Sequence, residues 1–301
     1  MSMTLLGLIQ AATAEMGVPV PAAIAGNSAQ DVLQLTGLIN KLGRYLTTNY
    51  QWQGLDTEYR FTTQFLATTG NTAAANAVIT AIPSTAILNT TFMLTGPGVP
   101  QDCTIQSVDS ATQVTMNQPL TATATGAALT FCKTKYAMPT DYQRPINNTQ
   151  WDKTRHWVML GPASPQLWQW LKSGYIATGP RIHYRILGNF FQIWPLLTTA
   201  EYLGFEYISN NWAAAATGLG QSTLLMDSDT CQFQDELMIC GLKKLYWEAK
   251  GFDSSSYNRD YETVLNSILA TEKGARVLSL SGRPSNILIN QTNVPDSNYG
   301  T

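Results

Sequence analysis

Charge is scarce in this chain of 301 residues: Asp, Glu, Lys and Arg make up 13% of it, about half the share usual for soluble domains. The scarcity is sharpest over residues 64–132, where Asp102 and Asp109 are the two charged residues. With 18 basic and 20 acidic residues the formal net charge is −2, so the overall field gives no grip on a phosphate-rich partner. Histidine is nearly missing, with His156 and His183 alone, and neither stands at a recognised spacing from a nucleophilic Ser or Cys. There is no G-x-S-x-G elbow. Gly96-Pro97-Gly98-Val99-Pro100 lacks the third glycine of a dinucleotide loop, and Gly218-Leu219-Gly220-Gln221-Ser222 lacks the phosphate-loop lysine.

Cys103, Cys132, Cys231 and Cys240 show no metal-ligand spacing. Cys103 and Cys132 both fall in the neutral segment, which leaves a disulfide between them open, although a chain assembled in cytoplasm keeps its thiols reduced. Asp227-Ser228-Asp229 has neither the glycine nor the later bidentate Glu of a calcium loop. No run approaches the ~20 apolar residues of a membrane span. The N-terminal segment has no basic leader and carries Glu15 in a helical pattern, so it reads as a helix and not as an export signal. Glycoside hydrolysis needs two carboxylates across a cleft. Glu58 with Asp141 is one pair the sequence permits, but 20 acids permit many. No catalytic residue, no cofactor and no metal site is assigned, and the expectation is a protein that is not an enzyme.

What is present is architectural. Leu5, Leu8, Ile9, Ala12 and Met16 recur at three and four, predicting a helix over about 4–16 that Gly17 stops. Ser28-Ala29-Gln30-Asp31 resembles a capping box, and Val32, Leu35, Leu38, Ile39, Leu42, Tyr45 and Leu46 behind it outline a second helix. Glu58–Thr63 and Lys133–Ala137 alternate as strands and look like two halves of one hairpin, interrupted by the neutral segment. Within that segment Ala77–Ile82, Thr91–Leu94, Thr104–Val108, Gln113–Met116 and Ala127–Phe131 are candidate strands, enough for a small sandwich or barrel. An insertion of this kind is tolerated where a hairpin tip faces solvent.

Residues 133–210 hold 14 of the 30 aromatics. A stacking platform for single-stranded nucleic acid is one use of such a mixture, but the aromatics fall at core-like positions and the basic residues do not cluster. Ser164-Pro165 opens a short helix carrying Leu167, Trp168, Trp170 and Leu171. Arg181–Ile186 and Phe190–Trp194 flank a Leu187-Gly188-Asn189 turn, Glu201–Ile208 follows, and these strands with 58–63 and 133–137 are expected to form one compact sheet. After a loop over Ala213–Gly220 come helices over about 233–250 and 254–272, and from Gly282 the chain reads as an extended polar arm. The expected fold is α+β: a helical bundle of N- and C-terminal helices with a central antiparallel β region and an inserted small all-β module. Its domains are 1–63 plus 133–281, the insert 64–132, and the arm 282–301.

Several of these segments, taken in order, resemble the head-to-tail adaptor proteins of tailed phages, the group that includes tail tubular protein A of short-tailed phages. The resemblance is carried by Leu5-Leu6-Gly7-Leu8-Ile9 with Glu15-Met16-Gly17-Val18-Pro19, by the second helix, and by Tyr50-Gln51-Trp52. Phe61-Thr62-Thr63 continues it to Tyr136-Ala137-Met138-Pro139-Thr140-Asp141-Tyr142. Trp151-Asp152, Gly161-Pro162, Trp168-Gln169-Trp170, Phe205-Glu206-Tyr207-Ile208-Ser209 and Gly241-Leu242-Lys243 complete it. It covers nearly everything outside 64–132, and the insert itself departs from the simplest members.

The resemblance implies a structural protein of the virion neck, assembled in the host cytoplasm. It implies a ring, usually of twelve copies, that joins the portal protein to the tail tube or nozzle protein while genomic DNA passes through without sequence-specific binding. Asn286-Ile287-Leu288-Ile289-Asn290 in the arm are the expected partner-binding residues, by strand addition. The alternatives from other classes are a tail component whose β insert binds a host surface or glycan, and a cell-wall hydrolase.

Overall fold

The computed structural model describes residues 2–174 and 181–272. Among these the chain is mixed α+β, with five helices and several antiparallel sheets. The described residues divide into two compact units. One takes the chain up to Thr57, Asp141–Pro145 and the segment from Tyr207 onward; the other takes Glu58–Thr140 and Ile146–Glu206.

Four of the helices belong to the first unit: α1 (Leu5–Met16), α2 (Gln30–Asn49), α4 (Asp235–Lys250) and α5 (Ser255–Glu272), while α3 (Pro165–Lys172) belongs to the second. The ends of α1 are set by local chemistry. Thr4 accepts the Gly7 N–H at 3.2 Å, and Gly17 closes the helix in the left-handed region at φ 67°, where a side chain is disfavoured. The orphan N–H groups of its first turn find carbonyls far along the chain: Leu5 N–H donates to Asp229 O at 2.7 Å and Leu6 N–H to Asp227 O at 3.2 Å.

The capping box expected before α2 does not form. Ala29 is the N-cap with no side-chain cap bond, and the Asn27 carboxamide oxygen accepts the Ala29 N–H at 2.9 Å. The Asn27 side chain closes a turn just ahead of the helix and caps none of its first-turn N–H groups. α4 packs against α1, α2 and α5. Its close approach to α2 depends on Gly241, where a Cβ would meet Leu42 Cδ2 at 2.5 Å; on α2 itself, a Cβ on Gly43 would meet the Trp212 ring at 2.3 Å. The loop expected over Ala213–Gly220 is instead a hairpin, pairing Ala213 with Gln221 and Ala214 with Gly220, and Thr230–Cys231 adds a third strand.

The one compact sheet expected for the central β region is two. Strands Asp56–Thr62, Tyr202–Ser209, Trp151–Asp152 and Trp157–Val158 follow one another in one sheet. His183–Leu187, Phe190–Trp194 and Lys135–Ala137 make the other. This corrects the broken hairpin: the strand ending at Thr62 pairs with Tyr202–Ser209, and Lys135–Ala137 pairs with Phe190–Trp194. Each half finds a partner distant in sequence because aromatic burial outweighs chain proximity. Tyr184 stacks on Phe191 at 5.1 Å and Phe191 on Phe205 at 4.9 Å, with Phe61 at 5.9 Å from Phe191 and 4.4 Å from Tyr136. The aromatics of this region are thus largely core.

Residues 64–132 form two three-stranded sheets, one of Phe65–Thr72, Ala124–Lys133 and Phe92–Thr95, the other of Val78–Ile79, Gln113–Met116 and Ile105–Ser110. Both turn apolar side chains into one cluster around Ile79, Phe92, Leu94, Ile105, Val114 and Phe131. Phe65–Thr72 is not among the strands expected from the sequence. It is the one that closes the segment on itself, with Phe65 opposite Cys132. Met93 faces the other way from Phe92 and Leu94 and packs with Trp168, Leu171 and Trp194, so this strand is buried on both faces.

Candidate functional site

The ionisable residues singled out from the sequence are largely taken up by structural contacts. Glu58 accepts from Arg60 and Lys153, and those hydrogen bonds, Arg60 first, pull its carboxyl down from 4.5 to about 2. Such a group stays ionised at neutral pH, the reverse of what a general acid needs. Asp141 accepts the Tyr207 hydroxyl at 2.9 Å and the Ser209 hydroxyl at 2.6 Å. It falls in the helical unit whereas Glu58 falls in the other.

Asp227 Oδ1 accepts the N–H groups of Ile24 and Ala25, both at 2.8 Å, and Asp229 Oδ2 accepts those of Leu225 and Met226, also at 2.8 Å. Each carboxylate pins a loop. His156 sits in a turn at φ 59° and His183 opens a strand, its basicity lowered by burial. All four cysteines are buried free thiols. Cys103 belongs to the apolar cluster of residues 64–132 together with Phe131. Cys132, next along the strand, therefore faces away from Cys103. Burial pushes Cys103 up to about 11 and Cys132 to about 12. No group of three or more His, Cys, Asp or Glu stands together as a metal site among the described residues. No helix there is long and apolar enough to cross a membrane. Asn286, Ile287, Leu288, Ile289 and Asn290 lie outside the described residues, as does the whole of the expected arm.

What the fold does bring together is a groove in the helical unit, between α2, α4 and α5. It has a cavity of about 250 Å³ walled by Leu42, Tyr45, Leu245 and Tyr261, with Lys41 and Lys244 beside them. Gly241 lies against Leu42 and Tyr261, 2.5 Å and 3.1 Å from where its Cβ would be. The Lys244 ammonium rides 5.0 Å above the Tyr261 ring, and the Tyr261 phenol is buried, which pushes it well above its ordinary range. The walls are apolar; Lys41 and Lys244 bring positive charge to the mouth, with Glu248 4.0 Å from the Lys244 ammonium. A cavity of about 150 Å³ already accepts a benzene ring, so this one holds an aromatic side chain, while drug-sized ligands take about 300–1,000 Å³. Its residues run from Lys41 to Tyr261, which is why no motif announces it.

A second, wider groove lies on the 64–132 module, lined by Leu66, Ala67, Thr68, Thr69, Pro83 and Ser84. None of these is ionisable or aromatic, so it offers neither acid–base chemistry nor a stacking face for a sugar. No protein-family model matches the chain, and no curated protein matches it either.

Proposed function

We propose that this protein is a structural adaptor of a tailed phage, a subunit of a ring that joins the portal to the tail tube or nozzle and lets DNA pass. The finer architecture belongs to the same reading: a helical bundle drawn from both ends of the chain, a central antiparallel β region, and a β module inserted at 64–132. The observation that carries the reading is the packing of α4 against α1, α2 and α5. It brings together the helical motifs of the adaptor resemblance, those at Leu5–Ile9, on α2 and at Gly241-Leu242-Lys243, from segments distant in the sequence. The self-closing pair Phe65 and Cys132 supports the insertion, because paired ends let a module enter a host chain at small cost.

Ring formation needs two different patches on each subunit, and the helical unit exposes large apolar residues at several positions, among them Leu33, Leu219, Leu225, Met226 and Phe252. A conduit for DNA works best without a dense basic lining, since each phosphate contact adds salt-dependent grip; the near-neutral charge fits that requirement. The experiment is to mix the purified chain with the portal and tail proteins of its own phage and measure particle mass. Rings on the portal are expected, and monomers alone in every mixture would contradict the proposal.

A further inference from the structure

We propose that the α2–α4–α5 groove is a socket for Phe252 and Asp253 of a second copy of this chain. The inference rests on the ring reading, which it supplies with a subunit contact.

Three observations single out this occupant. Phe252 is 62% exposed, which leaves an aromatic ring open to solvent. It is also held in place, its ring packed edge-on against Trp247 at 5.3 Å, and Trp247 is itself stacked on Tyr257 at 5.9 Å. A knob fixed before binding loses little entropy on docking. Next to it, Asp253 Oδ1 accepts the Ser255 N–H at 2.9 Å, which places a carboxylate beside the exposed ring. An aromatic ring flanked by a negative charge complements an apolar cavity flanked by Lys41 and by Lys244, whose 4.0 Å ion pair with Glu248 is loose enough to exchange for Asp253.

Met226 beside Asp227 and Val108 beside Asp109 are also exposed apolar residues with an acidic neighbour, but neither presents a ring to a cavity of aromatic size. Phe252 does not fill the socket of its own chain, because it lies about two helical turns beyond Lys244 and is fixed against Trp247. Docking is therefore between copies.

The test uses the full chain and follows self-association by sedimentation over a range of concentrations. Phe252→Ala, Asp253→Lys and Lys244→Glu are compared with the unaltered protein, with melting curves showing that each is folded. Phe252→Ala is expected to weaken association at least tenfold, on the order of a hot-spot truncation. Asp253→Lys and Lys244→Glu should each weaken it. Mixing those two variants should restore pairing, because the knob of one and the socket of the other then carry opposite charges again, with the signs exchanged. Association unchanged in all three variants, no recovery on mixing, or an unaltered chain that stays monomeric would each overturn the socket. The ring reading is judged separately by adding portal and tail proteins. If rings form there with Phe252→Ala as readily as without it, this contact fails and the ring stands; if no chain forms them, the ring fails as well.

Discussion

Gly43 lies under Trp212, a ring only 1% exposed, and a methyl group there would come within 2.3 Å of it. Alanine ordinarily stabilises a helix interior relative to glycine by about 1 kcal/mol, but overpacking a rigid core ring costs about 1–3 kcal/mol. Gly43→Ala should therefore lower stability in urea denaturation; a gain would show that α2 and Trp212 are not in contact. The thiols give a second test. With Cys132 at about 12 and Cys103 at about 11, only on the order of 10⁻³ or less of either is thiolate at pH 8. A disulfide reagent should label neither in the native protein and both in denaturant.

Glu58 makes a pH prediction. Its carboxyl falls from 4.5 to about 2 on folding, so its contribution is complete above about 4.5 and is lost as pH drops towards about 2. The group is largely solvated, so the effect is small and screened by salt. Glu58→Gln should lower stability slightly at neutral pH and leave it unchanged near pH 2, so that the acid limb of its stability curve is flatter. An identical acid limb in the variant would contradict the pairing with Arg60 and Lys153.

At the scale of elements, the strand Phe92–Thr95 decides how the 64–132 module is held. Phe92 and Leu94 serve the module's own cluster, while Met93 joins Trp168, Leu171 and Trp194. Lys172 also meets Asp102, with Nζ 2.8 Å from Oδ2, but a partly exposed pair is worth about 0–1 kcal/mol. Met93→Ala is expected to cost about 2–5 kcal/mol and Lys172→Ala far less. Equal losses would mean that the ion pair fastens the module as firmly as the apolar face does.

The same scale explains which elements are legible in the sequence. α1, α3 and α4 can be read because their signals are local: Gly17 and Gly251 close their helices at φ 67° and 78°, and Ser164 caps Leu167 at 3.2 Å. Phe65–Thr72 is hard to read because its residues carry no charge contrast and Gly70 interrupts them; that glycine is needed where a Cβ would meet Ile79 at 2.9 Å. The strand pairing is hidden because Lys135–Ala137 meets Phe190–Trp194, a segment far along the chain. The groove is invisible for the same reason, since Lys41 and Tyr261 share a wall only after α2 and α5 have packed on α4.

On the proposed reading the chain is a nearly neutral subunit with an apolar knob and an apolar socket, and its function comes from repetition. Near neutrality has a consequence of its own: assembly driven by apolar burial should vary little with salt, apart from the Asp253 and lysine contacts, whereas a DNA-gripping ring would bind strongly at low salt and release at high salt. The most direct test of the central claim is the particle mass measured when this chain is mixed with the portal and tail proteins of the phage proposed to encode it. A closed ring of many copies bridging portal and tail is the predicted result; a chain that stays monomeric in that mixture would contradict it.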